Sequence, residues 1–333
     1  MNKTSSKLIS LILTVTLLLS LTGCLGSGYS LEATKDSAGV SDTSKPTAPF
    51  VRKEYDTIKN PYFAMLSETE KNAYSLIYEE LLKGNQKFEC RVEVTADQLS
   101  KAIDSVLNDH PELFWLDNNY GYTYDPSGGS IKELSFSFFD FADTPEKLTA
   151  AKAQFESAAN LVVAGVLSYS TVLERELYIH DYICQNTEYD ESAPYNQSAY
   201  SVLVTHKSVC AGYARCFQYL MQKTGATCYY VTGRTEGVSG QIVAGANSDG
   251  SHSWNMLQIN GTFSNVDCLW DDTASDTYGS AIYPFFNLPD GDFVNHARIE
   301  MAVNLPACTT SEYKYSNQFG PTIEASSIIF ADA

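Results

Sequence analysis

Positive charge is what this sequence has little of: 22 Lys+Arg stand against 40 Asp+Glu in 333 residues, a formal net charge of −18. No run of Lys or Arg offsets that balance, which argues against a nucleic-acid backbone as the principal partner. His-Glu-x-x-His is absent, as are Cys-x-x-Cys and any cluster of ligand-type residues, so a metal-dependent hydrolase is set aside and no metal or cofactor is expected. There is no internal repeat. What remains is ordinary globular material, 44% apolar and 19% charged, long enough for one large or two modest domains with buried cores.

The first two dozen residues read as an export signal. Lys3 and Lys7 precede a mostly aliphatic stretch over Leu8–Leu21, too short for a membrane-spanning helix, and small residues follow. Leu21-Thr22-Gly23-Cys24 resembles the lipobox of bacterial lipoproteins, which implies removal of residues 1–23, a diacylglycerol on Cys24, and anchorage at the extracellular face of the cell membrane. Loss of Lys3 and Lys7 takes the net charge from −18 to −20. Residues 24–59 form the anchor and a Ser-, Gly- and Thr-rich tether, whose stretch 25–49 has too few large apolar groups to offset ordering a backbone. As a flexible coil such a tether reaches roughly 25–30 Å.

Two α+β sections follow. In 60–142, Ser67-Glu68-Thr69-Glu70 and Thr95-Ala96-Asp97-Gln98 are capping boxes opening apolar-periodic helices, closed by Gly84 and by Pro111. The runs 114–116, 120–124 and 131–139 read as a small antiparallel sheet with a Gly-rich turn. From 143 to 333 the chain opens with Thr144-Pro145-Glu146, an N-cap with proline in the first turn. A second helical pattern runs through Leu173, Leu177, His180 and Cys184, and residues 187–200 are polar and turn-rich.

The chemistry is concentrated further on. Val209-Cys210-Ala211-Gly212-Tyr213-Ala214 opens a helix ending at Gly225. A thiol at a helix mouth faces unpaired N–H groups and the positive end of the dipole, which favour thiolate and can hold an oxyanion. Downstream, 251–259 and 263–270 are strand-like and separated by Asn260-Gly261-Thr262. A type I′ turn at Asn260-Gly261 sets Asp267 opposite Trp254, so His252 and Asp267 become diagonal neighbours about 7–8 Å apart at the backbone. The carboxylate can then orient the imidazole and leave its other nitrogen for a cysteine. A three-residue loop would break that register. In the same register Cys268 points to the sheet face opposite Asp267.

These blocks, with His252-Ser253-Trp254-Asn255 and Val266-Asp267-Cys268-Leu269-Trp270-Asp271-Asp272, resemble the transglutaminase-like superfamily over about 145–275. Tyr178-Ile179-His180-Asp181-Tyr182-Ile183 and Tyr189-Asp190 look like its bacterial extracellular members; Ser253 and Ala211 are mild departures. The resemblance implies a papain-like α+β core preceded by a smaller α+β domain, with Cys210 as nucleophile, His252 as base and acid, and Asp267 as orienter. It implies a thioester enzyme acting on amide bonds of proteins or peptides, with the acyl group passing to an amine or to water; the anchor, by location alone, makes cell-wall peptides or surface proteins the expected acyl donors. A non-catalytic binding or scaffold module is the alternative.

Other residues carry weaker signals. Trp254, Trp270 and Tyr213 are candidates for the substrate groove, although strand aromatics are more often core. His180 reads as a packed or capping residue, His110 as a helix C-terminal partner, and His206 as a surface-loop residue; His296 carries no signal. Asn247-Ser248-Asp249-Gly250 and Asp290-Gly291-Asp292 fall short of a calcium loop and read as turns. Six further cysteines can pair in 15 ways. Cys216 lies about 240° around the helix from Cys210 and is a poor resolving partner.

Overall fold

A computed structural model describes residues 30–35, 50–125, 129–235 and 250–328. The export signal, Cys24, and Asn247-Ser248-Asp249 of one acidic turn lie outside the described residues. Strand β1 (Ser30–Lys35) adds to the open edge of a sheet in parallel with β3, so part of the stretch expected to be tether is paired. Composition misses this because an edge strand is joined through backbone groups, which every residue supplies.

Helix α1 (Pro61–Ala64) leads into α2 (Glu68–Leu82), whose capping box at Ser67 and Glu70 forms as expected. After β2 (Lys87–Glu89), α3 (Ala96–Asp109) opens with the second box at Thr95 and Gln98 and ends at His110, before Pro111. Strands β3 (Leu116–Tyr124) and β4 (Ile131–Phe138) complete a sheet of order β1-β3-β4-β2.

Helix α4 (Pro145–Gly165) starts at the Thr144 cap, and α5 (Val172–Asn186) at a further capping box, Thr171 and Glu174. Short strands β5 (Glu188–Tyr189) and β6 (Lys207–Ser208) pair in parallel around a π-helical turn at Ser201–Thr205. Helix α6 (Cys210–Lys223) is followed by β7 (Cys228–Thr235), β8 (Ser251–Ile259), β9 (Thr262–Val266), α7 (Cys268–Tyr278), β10 (His296–Arg298) and the single turn α8 (Tyr315–Gln318). The second sheet has the order β10-β7-β8-β9.

The turn between β8 and β9 takes the expected form. Asn260 and Gly261 both have positive φ (47° and 87°), and Asn255 pairs with Val266 and Met256 with Asn265. Strand geometry nevertheless ends at Val266. Asp267 is the N-cap of α7, its side chain accepting the Trp270 N–H, and Cys268 is the first helical residue. The strand expected over 263–270 is therefore four residues too long, and Cys268 has no sheet face to occupy. The overlooked signal is Asp267 itself, a favoured N-cap residue.

The two sections share one buried apolar cluster, from Tyr62 and Ile103 to Phe217 and Trp254. Tyr62 on α1 donates to the Tyr230 carbonyl on β7 (2.7 Å), and Gln218 Nε2 on α6 to the Asn108 carbonyl on α3 (2.8 Å), so α1 is hydrogen-bonded to β7 and α3 to α6. No helix among the described residues is long and apolar enough to cross a membrane.

Candidate active site

Two serine side chains and one backbone N–H hold the start of α6 in place. Ser208 Oγ donates to the Asn196 carbonyl (2.8 Å), Ser201 Oγ lies 2.7 Å from Ser208 Oγ, and Val209 N–H donates to the same Asn196 carbonyl (3.1 Å). Gly212 is required there, since a Cβ would stand 1.9 Å from Ser208 Oγ and 2.7 Å from the Asn196 oxygen. Val209 caps the helix with no side-chain hydrogen bond, so the first-turn N–H groups beside Cys210 receive no acceptor from the capping side chain.

Asn255 ties this helix to the sheet: its Nδ2 donates to the Ala214 carbonyl on α6 (2.9 Å) and to the Tyr229 carbonyl on β7 (3.1 Å). Three residues before it on β8 is His252. Its Nε2 lies 2.5 Å from Oδ2 of Asp267. A carboxylate only accepts, so Nε2 carries a proton, and in the neutral ring Nδ1 is left with the lone pair. Nδ1 is buried with no hydrogen-bond partner among the described residues.

Asp267 is the hub. Oδ1 accepts the Trp270 N–H (3.1 Å), while Oδ2 faces both His252 and, at 3.1 Å, Nε2 of His296. Burial alone would push its carboxyl up. The charge and hydrogen bond of His252, then those of His296, outweigh burial and hold it well below the usual carboxylate range. The nitrogens and oxygen of His252, Asp267 and His296 lie within 4.8 Å of one another, close enough to suggest metal ligands. The two hydrogen bonds account for that spacing, because each imidazole turns an N–H to the oxygen.

Residues 159–268 match the family model described as the transglutaminase-like superfamily. They form a transglutaminase-like domain. Two curated proteins named kyphoscoliosis peptidase are similar to the chain, from Mus musculus (26% identical over 174 residues) and Homo sapiens (28% over 176). Each match covers 50% of this chain and 26% of the relative, so the chain matches about a quarter of either protein. Among solved structures, a candidate cysteine protease from Cytophaga hutchinsonii aligns with TM-score 0.31 and 13% identity, over 62% of this chain and 71% of that one. The crystal structure of a TGase aligns with TM-score 0.30 and 12% identity, over 45% of this chain and 50% of that one.

The aromatic candidates lie in the interior. The Trp254 ring is 6.1 Å from that of His252, and its edge occupies the space over Gly233, where a Cβ would stand 2.1 Å from it. Trp270 lies 5.2 Å from the His252 ring, and both tryptophans are buried. Tyr213 is directed elsewhere: its hydroxyl contacts Asp272 Oδ2 (2.7 Å) and the Thr187 carbonyl (3.0 Å). Cys210, His252 and Asp267 are each at most 2% exposed, so the site is closed in this conformation.

The remaining histidines divide. His206 is exposed at a left-handed turn, and His110 caps α3, stacked on Tyr78 and bonded to Tyr74 and Glu112. His180 is packed, as expected, and its Nε2 lies 3.0 Å from buried Asp271. His296 is the residue that sequence reasoning missed. It stands 29 positions from Asp267 and arrives through pairing of β10 with β7, a contact with no local signature. The seven described cysteines are all free thiols, and Asp290 is bonded by Arg298, Asn265 and the Cys308 N–H.

Proposed function

We propose that the protein is a cysteine acyl-transfer enzyme acting on amide bonds of peptides or proteins. The observation that carries this reading is the imidazole of His252, held at Nε2 by Asp267 with its Nδ1 lone pair unspent, on a strand bound to the helix that Cys210 opens. His252 takes the thiol proton, Cys210 Sγ bonds to the amide carbon, and the oxyanion is met by N–H groups of the first turn of α6. The C–N bond then breaks as His252 returns the proton to nitrogen, leaving a thioester. An amine or water attacks that thioester, His252 accepts the incoming proton, and the thiol is restored. The name peptidase on the curated relatives favours water. Lipid on Cys24 would hold the enzyme at the outer membrane face, where cell-wall peptides and surface proteins are the available acyl donors.

The closed site requires the residues over Cys210 to move before a substrate enters. That burial favours a second reading, a binding or scaffold module with an inert thiol. The test is mass spectrometry of glutamine-containing and wall-derived peptides incubated with the enzyme, with and without a primary amine. Ammonia release, amine incorporation or backbone scission, each lost in Cys210→Ala, is the expected result. No product, together with no iodoacetamide labelling of Cys210 below pH 8, would establish the scaffold reading.

A further inference from the structure

Beyond the three residues of that reaction, the site holds a fourth polar side chain. His296 has a fully buried side chain, Nε2 at 3.1 Å from Asp267 Oδ2 and Nδ1 at 2.8 Å from the Val294 carbonyl. Its other neighbours are rings: Phe293 stacks at 3.9 Å and Trp270 lies at 4.2 Å, with Trp254 and Phe285 beyond. The charged or titratable groups facing it are Asp267, from the start of α7, and His252, from β8, at 5.3 Å between ring centroids.

We propose that His296 is a positioning residue that fixes the Asp267 carboxylate for His252, and that its second proton weakens the couple in acid. The inference rests on the acyl-transfer reading above. Both partners of His296 are acceptors, and only the doubly protonated ring donates to both. With one proton, a nitrogen lone pair faces an oxygen at 2.8 or 3.1 Å. Burial works against the cation and moves the His296 pKa below the usual histidine value, with the hydrogen bond to Asp267 and its charge opposing. The ring therefore gains its second proton as the medium turns acidic. A neutral His296 steadies Oδ2 and leaves the full charge of Asp267 to stabilise the His252 imidazolium. A cationic His296 cancels part of that charge, and the acid limb of the reaction then reports His296.

The test compares His296→Phe and His296→Gln with wild type in pH profiles of Cys210 alkylation and of peptide turnover. His296→Phe keeps the stacked ring and loses the donor; its kcat should fall roughly ten- to a hundredfold at little change in KM, the scale of losing an outer-shell partner. His296→Gln keeps an N–H and does not titrate; it should recover most of the rate at neutral pH and carry its acid limb to lower pH. Full activity in His296→Phe, or equal impairment of both variants with the acid limb unmoved, overturns the proposal. Imidazole ¹⁵N spectra of the intact protein supply an arm that needs no activity. Wild type should pass from two protonated ring nitrogens to an Nε2–H ring as pH rises, and Asp267→Asn should shift that transition. An Nδ1–H ring at every pH would overturn the proposal even where Cys210 reacts, whereas an unreactive Cys210 beside the expected spectra would sink the acyl-transfer reading alone.

Discussion

Asp267 meets His252 from a residue that has already left the sheet: Oδ2 lies 2.5 Å from Nε2 while Oδ1 caps α7 through the Trp270 N–H. One carboxylate thus starts a helix and orients an imidazole, so the position of α7 and the tautomer of His252 are set together. Two substitutions separate these duties. Asp267→Ala removes both and should cost about 1–2 kcal/mol for the cap alone. Asp267→Asn keeps a capping oxygen but no longer enforces the tautomer, so thermal stability should hold better while turnover falls by as much as about 10⁴-fold. Calorimetry beside steady-state kinetics checks the split; equal loss of both quantities in the two variants would contradict it.

Gly233 is the neighbour that lets Trp254 lie flat beside His252. A Cβ there would stand 2.1 Å from the indole and 2.6 Å from the Ala297 carbonyl, and neither can retreat, the tryptophan being buried and the carbonyl belonging to the backbone beside β7. Gly233→Ala should therefore destabilise the protein by about 1–3 kcal/mol or more and slow alkylation of Cys210. Denaturant midpoints would show the first effect and iodoacetamide rates the second.

Glu176 supplies a pH dependence of stability. Its side chain is fully buried on α5, Oε2 accepts from Asn287 Nδ2 (2.7 Å), and Oε1 has no partner among the described residues. Burial pushes its carboxyl up to about 8, with the Asn287 hydrogen bond and the charge of His180 opposing. The unfolded chain loses this proton near pH 4.3, as an ordinary glutamate does, and the folded one keeps it until about pH 8. Between those values the native state binds more protons, so this contribution to stability falls as pH rises and levels off above the folded pKa. Glu176→Gln should remove a slope amounting to a few kcal/mol by neutral pH. Unfolding curves from pH 4.5 to 8 measure it, and a variant with the wild-type slope would rule Glu176 out.

Tyr213 distinguishes packing from recognition. Its hydroxyl bonds to Asp272, a largely buried carboxyl that burial pushes up to about 7. Tyr213→Phe leaves that group short of a donor and should cost about 1–3 kcal/mol. A raised KM with an unmoved Tm would instead return Tyr213 to the substrate groove.

The legible parts of this fold are those written in short-range chemistry. The capping boxes at Ser67 and Thr95 form where a hydroxyl and a side-chain carbonyl stand three residues apart. Asn260-Gly261 specifies its own turn because both positions need positive φ, and that turn sets the register that carries His252 toward Asp267. Strand β7 is not legible in the sequence, although Tyr229, Tyr230, Val231 and Thr232 favour a strand, since a run buried on both faces has no alternation to follow. The sequence pairs Asp267 with His252 but suggests strand where α7 begins, because a cap and a strand end are one residue apart.

By itself, then, the sequence determined the helix starts at Ser67, Thr95, Thr144 and Cys210, the hairpin and the identities of a thiol, an imidazole and a carboxylate in one ordered set. The tertiary structure alone decided that His296 joins Asp267, that Trp254 rests on Gly233, and that Cys210 lies under cover. The first group depends on atoms within a few residues of one another, where bonded geometry limits the choices. The second depends on how β10, β7 and α7 pack, and that is settled by burying apolar surface from the whole chain at once.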